Sequence, residues 1–123
     1  MSLVEYFEKT EGVGILGTAD SQGKVDLAVY GRPHVIDETT IAFIMRERLS
    51  HRNLKSNPQA AYLFIEKGEG YKGKRLYLSK TGDETDPDVI ESFARRKHGS
   101  GSASESRYLV YFTIEKERPL VGD

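Results

Sequence analysis

A basic stretch between residues 46 and 55 carries the clearest chemical signal in this sequence. It reads RERLSHRNLK and contains four cations, Arg46, Arg48, Arg52 and Lys55, against one anion, Glu47. The whole chain of 123 residues has a formal net charge of −1, so this excess of positive charge is local. Nucleic-acid binding requires a broad basic face, which this balance excludes. The stretch therefore indicates a site for one small anion.

The residues that follow predict the helix that would position such an anion. Ser50 is a good N-cap and Pro58 is expected to stop the helix, which we place at residues 50–57. The first amides of a helix attract anions, and nearby guanidinium groups add charge-assisted hydrogen bonds of about 1.5–3 kcal/mol each. A phosphate monoester would use such a site fully. The residues alone leave open the alternative of a solvated basic turn that binds nothing.

A glycine motif near the N-terminus, Gly12, Gly14 and Gly17, matches the G-x-G-x-x-G fingerprint of dinucleotide-binding folds. In those folds the glycines lie between a strand and the helix that receives the pyrophosphate. Here a predicted helix precedes the glycines and a turn at residues 20–23 follows them, which leaves no room for that helix. We interpret the glycines as part of a barrel strand.

Residues typical of other catalytic and metal sites are scarce. The chain has no cysteine, and His34, His51 and His98 are far apart with no carboxylate at metal-ligand spacing. No serine lies in a G-x-S-x-G motif. We therefore expect no metal site, and no catalytic acid, base or nucleophile can be identified.

The elements around the basic stretch predict a mainly β domain. Six short segments are rich in β-branched or aromatic residues and are separated by turn signals, as is typical of strands: 13–19, 25–30, 41–45, 60–66, 75–79 and 108–115. Compact turns at 20–23 and 37–40 make the early strands antiparallel neighbours. The pattern predicts a β-barrel with flanking helices, whose closure would remove its exposed edges.

Two further helices are expected besides the one at 50–57. The first has capping-box spacing from Ser2 to Glu5 and ends near Gly12, and the other runs from Asp86 to about Lys97. A Gly/Ser-rich loop is expected to follow at residues 98–106.

The length of the chain predicts a single domain over residues 1–123. It contains no apolar run of the roughly 20 residues that cross a bilayer, and no basic and apolar N-terminal region typical of export. We therefore expect a cytoplasmic protein that binds neither membrane nor nucleic acid.

An ordered series of motifs runs from Gly12 to Glu66. It comprises the glycine-marked strand, a strand that ends in YGRP at residues 30–33, the apolar segment IAFIM at 41–45, the basic helix start, and NLKSNP at 53–58 followed by another apolar strand. In this order the chain resembles the pyridoxamine 5′-phosphate oxidase-like, FMN-binding split-barrel family. In the last strand the resemblance to this family extends only to the topology. The resemblance implies a six- to seven-stranded antiparallel split barrel with FMN as cofactor.

The resemblance also implies a homodimer with FMN in grooves at the subunit interface. The helix start would bind the phosphate, the strand ending at Pro33 would run along the isoalloxazine ring, and Arg32 would contact the ring's polar edge. The implied cofactor-binding residues are Val29, Tyr30, Gly31, Arg32, Pro33, Met45, Arg46, Arg48, Leu49, Ser50, His51 and Arg52. The partner subunit would close the groove through residues near Tyr77, Arg107 or Tyr108.

The function implied by the resemblance is that of a flavoprotein, an oxidoreductase that acts on an unidentified small molecule or electron partner. Leu49 and Ser50 stand where the oxidase itself has consecutive Arg and Lys, and its C-terminal substrate-recognition segment has no recognisable counterpart. Oxidation of vitamin B6 is therefore not expected. A flavin-storage or electron-transfer protein without an organic substrate and a dimeric scaffold without cofactor remain alternatives. Related split barrels also use a deazaflavin or heme.

Overall fold

Seven strands and three short helices make up residues 1–94 and 107–122, the part of the chain that the computed structural model describes. The helices are α1 (Leu3–Lys9), α2 (Leu49–Ser56) and α3 (Pro87–Ala94). The strands are β1 (Gly12–Ala19), β2 (Val25–Val29), β3 (His34–Asp37), β4 (Thr40–Arg46), β5 (Gln59–Glu66), β6 (Gly73–Glu84) and β7 (Arg107–Pro119). All six predicted strands are confirmed. The prediction missed β3, which has only four residues directly after a proline.

The seven strands form one antiparallel sheet in the order β2-β1-β5-β6-β7-β4-β3. The sheet curls strongly, because Phe43 on β4 and Tyr62 on β5 stand three strands apart in this order and yet have ring centroids 5.0 Å apart. It does not close, and β2 and β3 remain as its two edges. The expectation of closure was therefore wrong, whereas the predicted mainly β split-barrel architecture is confirmed.

Helix α2 packs across the gap that the open sheet leaves. It contacts β1, β2 and β4, which belong to opposite ends of the strand order. The side-chain amide of Asn53 donates to the hydroxyl of Thr18 on β1 over 3.1 Å, and Leu54 is buried in the core. Asn57 ends the helix, and its side-chain oxygen accepts the amide of Gln59 over 3.1 Å. The NLKSNP motif thus holds the helix against the sheet.

The core lies inside the curl of the sheet, and α1 covers one end of it. Ser2 and Glu5 form the predicted capping box, and the helix ends at Lys9, before the predicted end near Gly12. Phe7 packs edge-on against Phe64 with centroids 5.3 Å apart. The buried residues of the main core are Leu3, Phe7, Leu16, Ile41, Phe43, Met45, Leu54, Tyr62, Phe64, Leu76, Leu78, Val110 and Phe112.

The glycine motif lies within β1, as predicted. A Cβ atom on Gly14 would lie 1.9 Å from the hydroxyl oxygen of Tyr62 and 2.4 Å from the carbonyl oxygen of Tyr30. A Cβ atom on Gly12 would lie 2.2 Å from the carbonyl oxygen of Ile65. The close approach of neighbouring chain segments therefore explains both glycines without any nucleotide.

Helix α3 packs on the outer side of the sheet. Its buried residue Ile90 joins Ala42 and Leu109 in a second apolar cluster. The carboxylate of Asp86 accepts the amide of Asp88 over 2.9 Å, as expected of a helix start. The predicted continuation of this helix to Lys97 and the predicted loop at 98–106 lie outside the described residues. In the described part of the chain, no helix has the length and apolar character of a membrane span.

Candidate functional site

A three-residue turn joins β4 to α2 and directs two arginines to the same side. The amide of Arg48 donates to the carbonyl of Arg46 over 2.8 Å, which closes a γ-type turn centred on Glu47. The side chains of Arg46 and Arg48 both line an open groove of about 610 Å³. The carboxylate of Glu47 instead contacts His51. The turn thus separates two cations from the anion between them.

The groove lies between the edge strand β2, the end of β4 and the first turn of α2. Residues 26–30 form one wall, and Ile44 and Leu49 add apolar surface opposite. Arg52, one turn into α2, contributes a third guanidinium group beside Arg46 and Arg48. The groove therefore combines a cationic end with an apolar wall.

Helix α2 begins at Leu49, and its N-cap is Arg48. The prediction that Ser50 caps this helix was wrong. A guanidinium group has donors only, and the Arg48 side chain makes no capping hydrogen bond to the first amides. These amides point along the positive end of the helix dipole, where an acceptor from outside the helix completes their hydrogen bonding.

Ser50 occupies the second helical position and faces the sheet. The residue is only 3% exposed, and its hydroxyl lies near that of Tyr30. Burial raises the pKa of Tyr30, and the hydroxyl of Ser50 partly opposes this shift. Because Ser50 lies within the helix, one residue after its start at Leu49, its hydroxyl does not serve as the cap.

Seven of the twelve predicted cofactor-binding residues line the groove, namely Val29, Tyr30, Arg46, Arg48, Leu49, Ser50 and Arg52. The structure thus brings them together, while their binding of a cofactor stays a prediction. Asp26, Leu27, Ala28 and Ile44 also line the groove and were not predicted as site residues. They belong to strands that the sequence did predict, and only the curl of the sheet brings them to this site.

The other five predicted residues do not line this groove in the single chain, and their binding of a cofactor stays a prediction. Arg32 donates to the carbonyls of Phe7 over 2.9 Å and Thr10 over 3.2 Å, so it caps the end of α1. The carbonyl of Gly31 accepts the hydroxyl of Tyr62 over 2.9 Å. The remaining three are buried: Pro33, Met45 and His51. The reason is that the chain turns from the groove towards α1 directly after Tyr30.

His51 is held between two carboxylates on the far side of α2 from the groove. Its Nδ1 lies 3.2 Å from Oε1 of Glu47, and its Nε2 lies 3.2 Å from Oδ2 of Asp83. The imidazole is fully buried and stacks on the ring of Tyr108, with centroids 3.9 Å apart and an interplanar angle of 21°. Tyr108 is therefore packed within its own chain. The resemblance implied that residues near Tyr108 close the groove of the partner subunit.

Glu47 connects this cluster to the turn. Its Oε2 accepts hydrogen bonds from Tyr108 over 3.2 Å and from Lys55 over 3.3 Å. The hydrogen bond from His51 is the largest of the effects that lower the pKa of Glu47. The spacing of four residues between Glu47 and His51 could have suggested their contact, because such residues are neighbours on a helix. No sequence signal connects His51 with Asp83.

An apolar surface borders the groove on the outer side of the sheet. Val25, Leu27 and Val29 occupy alternate positions of β2 and are 69%, 70% and 77% exposed. On the same side, Val13 on β1 is 53% exposed and pairs with Ile65 on β5. We call these five residues the outer apolar face. Leu27 and Val29 also line the groove, so the two surfaces are continuous.

Metal ligands do not cluster in residues 1–94 and 107–122, where no group of three His, Asp or Glu side chains could hold an ion.

Comparison with known proteins identifies the fold. No family model and no curated protein matches the chain. An FMN-binding protein from Syntrophomonas wolfei matches 97% of this chain and 84% of its own, with 18% identity and a TM-score of 0.79. A putative pyridoxamine 5′-phosphate oxidase from Lactobacillus delbrueckii matches 94% and 88%, with 16% identity and a TM-score of 0.70.

A third solved structure is the heme storage protein HutZ from Vibrio cholerae. It matches 97% of this chain and 95% of its own, with 17% identity and a TM-score of 0.74. Proteins named for FMN binding and for heme storage thus have the same fold. At these identities the similarity shows the fold and leaves the ligand undetermined.

Proposed function

We propose that this chain, which has the fold of the FMN-binding split barrels, binds FMN in the groove between β2 and α2. The observation that carries the proposal is the cationic end of the groove. There the arginines of the Arg46–Arg48 turn meet a helix start whose N-cap residue supplies no acceptor. The phosphate of FMN would bind at this end and the isoalloxazine ring would lie along β2.

The geometry of the turn favours this anion site over a solvated basic turn. In a solvated basic turn the cationic side chains would point apart into solvent, because like charges repel. Here Arg46, Arg48 and Arg52 instead line one groove. A phosphate monoester carries a charge between −1.5 and −2 near neutral pH, with a second pKa near 6 and three acceptor oxygens. It can therefore accept from several guanidinium groups and from helix amides at once.

The remainder of the groove suits a flat, largely apolar ring system. Leu27, Val29 and Leu49 provide exposed apolar surface there, and Ile44 also lines the groove. As an edge strand, β2 also presents backbone N–H and C=O groups on the side away from β1. These groups supply hydrogen-bonding partners for the polar edge of the ring.

A second copy of the chain would complete this site. Exposed apolar surface of the extent seen on the outer apolar face is typical of an interface between proteins. Because Leu27 and Val29 belong to both surfaces, a partner seated on the face would also cover the ring. We therefore propose a homodimer with FMN at the subunit interface.

Replacing Leu27 with lysine is expected to convert the dimer to a monomer and to weaken FMN binding, because the charge would be buried in the interface without a partner. Sedimentation velocity measures the first effect and an FMN titration the second. Val121→Lys is the control, since Val121 is 63% exposed near the C-terminus and outside both surfaces. Wild-type protein that binds FMN tightly as a monomer would contradict the proposed interface.

Bound FMN would supply hydride or single-electron transfer, while the protein supplies binding and orientation. Besides the arginines, the groove is lined by two ionisable side chains, those of Asp26 and Tyr30. No contact of either side chain identifies it as a catalytic acid or base. We propose an oxidoreductase acting on a small molecule, and an electron-transfer protein is the alternative. Turnover of a substrate by the FMN-loaded protein, beyond simple exchange with redox dyes, would decide between them.

A visible absorption spectrum of the purified protein tests the cofactor itself. We expect the two bands of an oxidised flavin, and we expect FMN by mass after denaturation, one per chain. The fold shared with HutZ makes heme the competing ligand. In the described residues, His51 is enclosed by carboxylates and the ring of His34 packs on Phe93 with centroids 5.4 Å apart. A Soret band with the mass of heme would overturn the FMN proposal, as would a deazaflavin mass.

A further inference from the structure

We propose that His51 is held as an imidazolium cation and acts as the positioning residue of the groove. It fixes Glu47, and through Glu47 it fixes the turn that presents Arg46 and Arg48. The protonation state and the rigidity of the turn follow from geometry alone. The consequence for FMN affinity rests on the function proposed above.

The protonation state follows from hydrogen-bond donors. Each ring nitrogen of His51 lies 3.2 Å from a carboxylate oxygen, one of Glu47 and one of Asp83. An ionised carboxylate only accepts hydrogen bonds, and a neutral imidazole has a single N–H. A neutral ring would therefore place a lone pair of a fully buried imidazole against a carboxylate oxygen. Only the imidazolium donates to both.

The surrounding charges agree with ionised carboxylates. Lys55 lies 3.3 Å from Glu47, and Lys80 lies 3.1 Å from Asp83. Charges thus alternate along a chain in which His51 is the central cation between two anions. These groups come from three elements, since Lys55 belongs to α2, Asp83 and Lys80 belong to β6, and the stacked Tyr108 belongs to β7.

The positioning role follows from where Glu47 sits. It is the central residue of the turn closed by the bond from the Arg48 amide to the Arg46 carbonyl. A three-residue turn has few torsions, so holding its central side chain restrains the residues on both sides. His51 anchors that side chain from inside the protein, while both arginines face the groove. Preorganised cations bind an anion more tightly because less freedom is lost on binding.

The first experiment is NMR of ¹⁵N-labelled protein without added FMN. The chain has three histidines, and His51→Gln assigns the ring signals of His51. We expect both ring nitrogens of His51 to carry protons at neutral pH, and a spectrum with one protonated and one unprotonated nitrogen would overturn the proposal. This result does not depend on whether the protein binds FMN.

The second experiment tests positioning through hydrogen exchange. In His51→Gln the Arg48 amide should exchange at least about tenfold faster than in the wild type, because its turn is released. The Asn57 amide, bonded to Asn53 at the other end of α2, should be unchanged. Equal acceleration at both ends would reduce His51 to a general stabilising residue and overturn the positioning role. If His51→Gln does not fold, Glu47→Gln tests the same release, since this side chain is 39% exposed.

The third experiment connects the turn to the ligand. FMN affinity should fall at least about tenfold in His51→Gln or Glu47→Gln, but by less than about threefold in Asp83→Asn, which retains the contact between His51 and Glu47. Losses that follow the stability of all three variants equally would contradict positioning. Absence of FMN binding by the wild type would instead refute the proposed function. The protonation of His51 and its effect on the turn would then be tested by the two earlier experiments alone.

Discussion

Combined replacement of Arg46 and Arg48 with alanine is expected to weaken FMN binding at least about a hundredfold. Each arginine would make a charge-assisted hydrogen bond of about 1.5–3 kcal/mol with the phosphate, so two of them contribute at least about 3 kcal/mol. Since about 1.4 kcal/mol corresponds to a factor of ten, the loss reaches two orders of magnitude. Quenching of flavin fluorescence on titration measures the dissociation constant.

The control for this pair removes the same charge elsewhere. Lys67 and Lys72 lie in the exposed loop between β5 and β6, away from the groove. Lys67→Ala combined with Lys72→Ala should leave the affinity within a factor of about two, because exposed charges more than a Debye length away are screened, about 8 Å at physiological ionic strength. A comparable loss in both double variants would mean that net charge attracts the cofactor and that the turn plays no specific part.

Gly14→Ala is expected to destabilise the fold by at least about 3 kcal/mol, at the upper end of the usual cost of overpacking. The added Cβ would lie 2.4 Å from the carbonyl oxygen of Tyr30, which is backbone and cannot rotate away. β1 or the end of β2 must therefore move. Urea denaturation followed by circular dichroism measures the change through the shift of the midpoint.

Gly17→Ala is the matched control within the same strand. Its Cβ would meet Cδ2 of Leu27 at 3.2 Å, and this is the end of a flexible, exposed side chain. We expect a change below about 1 kcal/mol, typical of a site where the neighbour can yield. Similar midpoint shifts in the two variants would show that β propensity at glycine positions, rather than the contact with Tyr30, determines the cost.

The fold was largely predictable because its signals are local. Alternation of apolar residues and the turns at 20–23 and 37–40 locate the strands, and the order of the motifs indicates the split barrel. The NLKSNP motif carries much of that resemblance. Its asparagines hold α2 to β1 and end the helix, so the motif reports the architecture and says nothing about the ligand.

The site was predictable only where neighbours in sequence are also neighbours in the groove. The Arg46–Arg48 turn was found from its charge. Ser50 was predicted as a cap because serine favours that position, but the helix begins one residue earlier, and Ser50 is buried inside its first turn. The contacts of Arg32 with Phe7 and of His51 with Asp83 could not be predicted either, since these partners are distant in the chain. The positions of these side chains are determined by contacts between residues that are distant in the sequence.

The open edge of β2 has a consequence for how the protein behaves at high concentration. Val25, Leu27 and Val29 lie on a strand with one unpaired edge and exposed apolar side chains, which is the arrangement that seeds aggregation between sheets. Asp26 is the one charge within the strand, and its burial on pairing with a foreign strand would be unfavourable. Solubility of a lone subunit therefore depends on this carboxylate, and β2 is short enough for one charge to protect it.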